Sequence, residues 1–240
     1  MTNLDREDFK MNYRRWLIFL PILALNMPLW ADDPALLALQ INKKLEEVKT
    51  SEQAWNQALQ EGSERAVFCA VCHGKDGNGT GKQGNDIVPK LAGQNPVYLL
   101  DQFQQFAEGH RKSPPYNVMQ ELAANFTEED KLNLVVYYAH TPRTPGQSTD
   151  PELAERGRQM YFKLCQHCHG SHGMGSRGYA NIAAQHSRYI AKTLSDFRDG
   201  HGDRNNPLMA SITHNLTDGE ILELAAFIES LPPLGPAGGE

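Results

Sequence analysis

The segments Cys69-Ala70-Val71-Cys72-His73 and Cys165-Gln166-His167-Cys168-His169 decide how this chain is read. Together they contain all 4 cysteines of the 240 residues. In each, the cysteines are three positions apart, a spacing that on a helical turn puts them on nearly the same side. Two thiols so placed can add across the two vinyl groups on one edge of a porphyrin. The histidine that follows then sets an imidazole beneath the iron, and Cys-x-x-Cys-His is accordingly the attachment signal for c-type haem. Two such segments predict two covalently attached haem c groups, on Cys69 and Cys72 and on Cys165 and Cys168. A zinc site using both pairs would have to bridge the 92 residues between Cys72 and Cys165, far outside the usual ribbon spacing. Redox disulfides would require a strand-helix-strand setting that neither pair has. Structural disulfides would leave both histidines unexplained.

Outward from these segments the chain repeats itself. The motifs start 96 residues apart, and Leu91-Ala92-Gly93-Gln94 matches Ile182-Ala183-Ala184-Gln185 at an offset of 91. At that offset Tyr98 pairs with Tyr189, Phe106 with Phe197, Gly109 with Gly200 and His110 with His201. Met119 then pairs with Met209, and Thr127 with Thr217, at an offset of 90. Shared order with small drifts in length is what duplication followed by loop change leaves behind. The halves, residues 61–141 and 152–232, are joined by a proline-rich linker at 142–151 and followed by a loose tail at 233–240.

Each half reads as helical. Thr127-Glu128-Glu129-Asp130 and Thr217-Asp218-Gly219-Glu220 are helix starts, a hydroxyl residue followed three positions later by an acid. Leu132, Val135, Val136, Tyr138 and Ala139 give one apolar stripe, and Ile221, Leu224, Ala225, Phe227 and Ile228 the other. A helical stretch precedes each motif, clearest from Leu153 to Leu164, and no run of alternating strand residues occurs. The expected fold class is all-α, built twice. A helical extension occupies 32–60, with Leu37, Ile41, Leu45 and Val48 on one face and Trp55 and Leu59 continuing it. It is expected to pack on its own chain, with docking of a partner as the alternative.

The iron ligands on one side are predicted to be His73 and His169. On the other, Met119 and Met209 are the methionines in matched positions, and a thioether there gives the His/Met ligation that suits electron carriers. The matched His110 and His201 keep bis-histidine ligation open. Met160 and Met174 read as packing or loop residues. A backbone carbonyl in Pro89-Lys90-Leu91 is placed to accept the imidazole Nδ1–H of His73, with Ala180 at the equivalent place in the second half.

Residues 1–31 carry a secretory signal pattern: Arg14 and Arg15, a short apolar run from Trp16 to Leu25, and Ala31 before Asp32. Met11 heads the more ordinary basic region and is the expected start. The formal charge of −6 argues against a general nucleic-acid binder, which shows a basic face.

Cys69-Ala-Val-Cys-His-Gly-Lys-Asp-Gly-Asn-Gly, Pro89-Lys-Leu-Ala-Gly-Gln and Phe106-Ala-Glu-Gly-His-Arg111 resemble the first half of the diheme cytochrome c4 family. Asn205-Asn206-Pro207-Leu208-Met209 with Leu216-Thr217-Asp218 resembles its second half. The resemblance implies two tandem cytochrome c domains with His/Met haems in the bacterial periplasm, with peripheral membrane association left open. It further implies single-electron transfer from a quinol-oxidising complex toward a terminal oxidase. Two features depart from the family: the long extension before residue 61, and a second half with Ala180 for proline and Gly200-His-Gly-Asp-Arg204 against Gly109-His-Arg111. The alternative reading is a diheme redox enzyme or enzyme subunit, peroxidase-like or sulfur-oxidising, with one open-site haem.

Overall fold

The computed structural model describes residues 34–79, 87–112, 117–146, 150–201, 204 and 206–235. The expected export segment with its Met11 start, Gly202, positions 147–149 of the linker and the tail from 236 lie outside the described residues, as do the side chains of Leu37 and Ile41. Among the described residues there are eleven helices and no strand. In the first half these are α1 (Pro34–Lys49), α2 (Glu52–Arg65), α3 (Val67–His73), α4 (Pro96–Ala107), α5 (Val118–Asn125) and α6 (Glu128–His140). In the second they are α7 (Pro151–Leu164), α8 (Gln166–His169), α9 (Ser187–Asp199), α10 (Pro207–Thr213) and α11 (Asp218–Ser230). From α2 and α7 onward the two sets correspond one to one; α1 has no counterpart.

The helices begin where local chemistry starts them. Thr127 and Thr217 close the two expected capping boxes, with Asp130 and Glu220 reaching back to the threonine N–H. Ser51, Asn95, Asp150 and Asn206 accept first-turn N–H groups of α2, α4, α7 and α10, and proline occupies the first turn of the last three. The two stripes then form two separate cores. Leu134, Val135, Val136 and Tyr138 gather with Leu99 and Leu100 in one, and Ile221, Leu224, Ala225 and Ile228 with Tyr161 and Leu194 in the other.

In each half the long helix before the cysteine motif and the last helix cross at a glycine. A Cβ on Gly62 of α2 would stand 2.2 Å from the Asn133 carbonyl oxygen of α6, and one on Gly157 of α7 only 2.0 Å from that of Glu223 on α11. The crossing is thus too close for any side chain at those positions.

Helix α1 lies on the first core: Leu45 is buried, Val48 packs beside it, and Lys44 meets Glu128 at 3.6 Å. Helix α2 runs without interruption through the expected division between residues 60 and 61, because Trp55, Ala58 and Leu59 already face the core that the rest of the helix covers. The linker is a stitch as well as a spacer. Buried Arg143 donates through Nε to the Ala92 carbonyl (2.6 Å) and through Nη1 to those of Asn181 (3.0 Å) and Ala183 (2.8 Å), tying both halves to one guanidinium.

Candidate functional site

Helix α3 is a single short element holding Cys69, Cys72 and His73, and it ends where Gly74 takes φ 81° and turns the chain away. The second half repeats this with Cys165 at the end of α7, Cys168 and His169 on α8, and Gly170 at φ 78°. All four thiols are unpaired. In each pair the first cysteine is held against the core, and burial pushes the Cys69 thiol up and the Cys165 thiol up to about 12. A redox-active pair needs the opposite, a depressed thiol. Among the described residues no three His, Cys, Asp or Glu side chains gather as a metal-binding group, so the cysteine pairs do not converge on one another.

The two histidines are fixed in the same way. His73 Nδ1 lies 2.8 Å from the Pro89 carbonyl oxygen and His169 Nδ1 lies 2.9 Å from that of Ala180. Burial is the main cause that holds both imidazoles below their ordinary pKa; the hydrogen bond to the carbonyl works against it. With the proton on Nδ1 given to a carbonyl, Nε2 is left with a free lone pair, the form a metal requires. The loops carrying the carbonyls are pinned to the turns after the motifs. The N–H groups of Leu91 and Ala92 share the Gly77 carbonyl, and those of Ile182 and Ala183 share that of Gly173. Ala180 therefore does what Pro89 does, since a carbonyl in that place needs no particular side chain.

Met119 is the second residue of α5 and Met209 the third of α10, each on the short helix that packs against the long helix after the motif. Both are half-buried, and each follows an exposed apolar residue, Val118 and Leu208. His110 is exposed beside Glu108 at 3.3 Å, and His201 is exposed too. Met160 and Met174 pack against the second core.

Between the halves lies a cluster that the sequence pattern did not single out as a site. Arg111 and Arg204 both reach the Tyr189 hydroxyl, at 3.3 and 2.9 Å, and Arg204 also bonds Tyr98. Each guanidinium lies over the matched phenylalanine of its own half, Arg111 4.3 Å from the centroid of Phe106 and Arg204 5.4 Å from that of Phe197. Burial alone would raise Tyr189, but Arg204 and Arg111 outweigh it and bring the phenol down to about 7. The different spacing of the two arginines, 2 residues after Gly109 and 4 after Gly200, hid their equivalence.

These features fit a haem in each half. The donor set is two thiols and a neutral imidazole, exposed apolar side chains stand beside each methionine, and two half-buried guanidiniums meet phenols, an amide and aromatic faces but no described carboxylate. A cation partly withdrawn from water is stabilised by an anion, and the propionate groups of haem are carboxylates.

Residues 154–232 match the family model described as Cytochrome c. The chain is similar to cytochrome c4 of Azotobacter vinelandii, 32% identical over 188 residues that cover 71% of this chain and 87% of the relative. It is also similar to a thiosulfate dehydrogenase electron acceptor of Stutzerimonas stutzeri (strain A1501), 29% identical over 69% of this chain and 80% of that one. Among solved structures, reduced recombinant cytochrome c4 from Pseudomonas stutzeri superposes with a TM-score of 0.63 at 28% identity, covering 72% of this chain and 98% of that one.

Proposed function

Since the chain belongs to the cytochrome c4 family, and so is a diheme electron-transfer cytochrome with covalently bound haem c, we propose that it carries single electrons between respiratory complexes in the periplasm. The donor in this reading is a quinol-oxidising complex and the acceptor a terminal oxidase. Cys69 and Cys72 hold the first haem, with His73 and Met119 on its iron; Cys165 and Cys168 hold the second, with His169 and Met209. Residues 1–31 direct export, and two folding units meet at the linker, the first including all of α2. The observation that carries the reading is the doubled hydrogen bond from a motif histidine to a loop carbonyl, His73 to Pro89 and His169 to Ala180.

When bound, the haem iron supplies a reversible one-electron couple. The protein's residues set the conditions under which that couple works. The Pro89 and Ala180 carbonyls hold each imidazole in one tautomer and raise its donor strength. The first core keeps water from His73 and the second, less completely, from His169, which favours the less charged form of the site. Arg111 and Arg204 would hold and neutralise the propionate carboxylates of the bound haems at the junction of the halves.

Pyridine-haemochrome counting on the secreted protein should give two haems per chain. The ferric protein should show the near-infrared methionine–iron band with the intensity of both, and Met119→Ala and Met209→Ala should each remove half of it. A high-spin haem or fast cyanide binding in the unmodified protein would favour the enzyme reading instead. The likeness to a thiosulfate dehydrogenase electron acceptor supports a second donor, a thiosulfate-oxidising enzyme. Stopped-flow reduction by each purified donor separates the two.

A further inference from the structure

The loops that orient the histidines are also where the halves meet, and they meet reciprocally. Gln94 of the first half accepts the Asn181 N–H through Oε1 at 2.6 Å and donates through Nε2 to the Asn181 carbonyl at 2.8 Å. Gln185 of the second half accepts the Lys90 N–H at 2.8 Å and donates to the Lys90 carbonyl at 3.0 Å. Gln94 and Gln185 are matched across the repeat, and so are Lys90 and Asn181, at the same offset of 91. Each glutamine Oε1 also takes the N–H of its own next residue, Asn95 at 2.8 Å and His186 at 3.1 Å, which fixes the amide from its own side. All four residues are buried, none more than 5% exposed.

The clamped N–H groups belong to particular peptide units. The Lys90 N–H shares one planar peptide with the Pro89 carbonyl that accepts His73, and the Asn181 N–H shares one with the Ala180 carbonyl that accepts His169. A peptide plane is rigid, so fixing the direction of its N–H fixes that of its C=O. Hydrogen bonds in series also polarise one another. An acceptor on the N–H makes the carbonyl oxygen a better acceptor in turn. The result is a relay from each glutamine, across one peptide, to the histidine of the opposite half.

We propose that Gln94 and Gln185 are crossed positioning residues, each setting the orientation and donor strength of the haem-ligating histidine in the other half. This rests on the reading that His73 and His169 bind haem iron. Loss of a clamp weakens the carbonyl as an acceptor and makes the imidazole a poorer electron donor. The reduction potential of that haem should therefore rise.

The test uses the full holoprotein with Gln94→Met and Gln185→Met, which keep side-chain length while removing both hydrogen bonds. Voltammetry and paramagnetic NMR of the axial histidines read the two haems separately. Gln94→Met should raise the potential of the second-half haem and move the His169 ring resonances, with the first-half haem unchanged. Gln185→Met should do the reverse, acting on His73 alone. Gln94→Asn and Gln185→Asn, which keep an amide too short to reach, should act in the same sense and serve if the methionine variants do not fold. Equal shifts at both haems, a shift confined to the glutamine's own half, or no shift with both haems attached would overturn the proposal. Fewer than two haems in the unmodified protein would instead overturn the haem reading itself.

Discussion

Where the first half keeps a buried lysine, the second keeps an asparagine. Lys90 and Asn181 hold the same place in the repeat, are 3% and 1% exposed, and give their backbone to the glutamine of the opposite half. Their side chains do different things. The Lys90 ammonium is capped by the carbonyls of Thr144 (2.9 Å) and Pro145 (3.2 Å) in the linker, whereas the Asn181 amide donates to the Gly93 carbonyl at 2.7 Å. One histidine loop thus carries a buried cation and the other a neutral group, on the same backbone. The duplication preserved what a planar peptide must do and let side-chain charge diverge.

The comparison can be broken first at its most symmetrical point. Gly62→Ala and Gly157→Ala each force a Cβ into a facing carbonyl, and each should destabilise its own half by about 3 kcal/mol or more, the upper range for overpacking. Denaturant unfolding followed at the two haem environments should show the altered half melting first. Equal losses in both halves would mean that they unfold as one unit.

The lysine gives a pH-dependent difference. Burial, with Arg143 adding to it, brings Lys90 down from 10.5 to about 8. In the native state it therefore loses its proton before the unfolded chain does, and stability rises with pH between about 8 and 10.5. Relative to Lys90→Met, the unmodified protein should gain up to about 3 kcal/mol across that window. Chemical denaturation at about pH 7 and about pH 11.5 measures the gain, and no difference in slope would remove the buried cation from the account.

Two buried tyrosines sharpen the contrast further. Tyr161 donates to the Gly170 carbonyl at 2.6 Å, while the hydroxyl of Tyr138 faces only the Cys69 sulfur, a weak acceptor, among the described residues. Tyr161→Phe should lower stability by about 1–2 kcal/mol and Tyr138→Phe by almost nothing, or raise it. The smallest effect should also be the most even. Thr127→Ala and Thr217→Ala each remove a helix-capping hydroxyl and should each lose about 1 kcal/mol, readable as equal falls in thermal midpoint.

Much of this molecule was legible in the order of its residues. The two Cys-x-x-Cys-His segments, the capping boxes at Thr127 and Thr217, the stripes of α6 and α11, and the loop carbonyl for His73 all depend on chemistry within a short stretch of chain. So does the choice of helix over strand. Local signals of this kind survive because a helical turn or a cap is satisfied by its neighbours, whatever lies beyond them.

Other features became visible only when the halves were placed together. Tyr98, Tyr189, Gln94 and Gln185 could be paired by offset, but nothing in their spacing says that they form the junction. Arg111 and Arg204 read as a departure from the repeat until both were found on one phenol. Gly62 and Gly157 look like weak points in helices until each is seen under a carbonyl of the last helix. The physical reason is the same in all three. A residue's own neighbours settle its backbone, whereas contact between groups on different elements is settled by which surfaces are left to bury once the helices exist. The motifs determined what each half can hold. The packing of one half on the other decided that the two histidines are held through each other's glutamines.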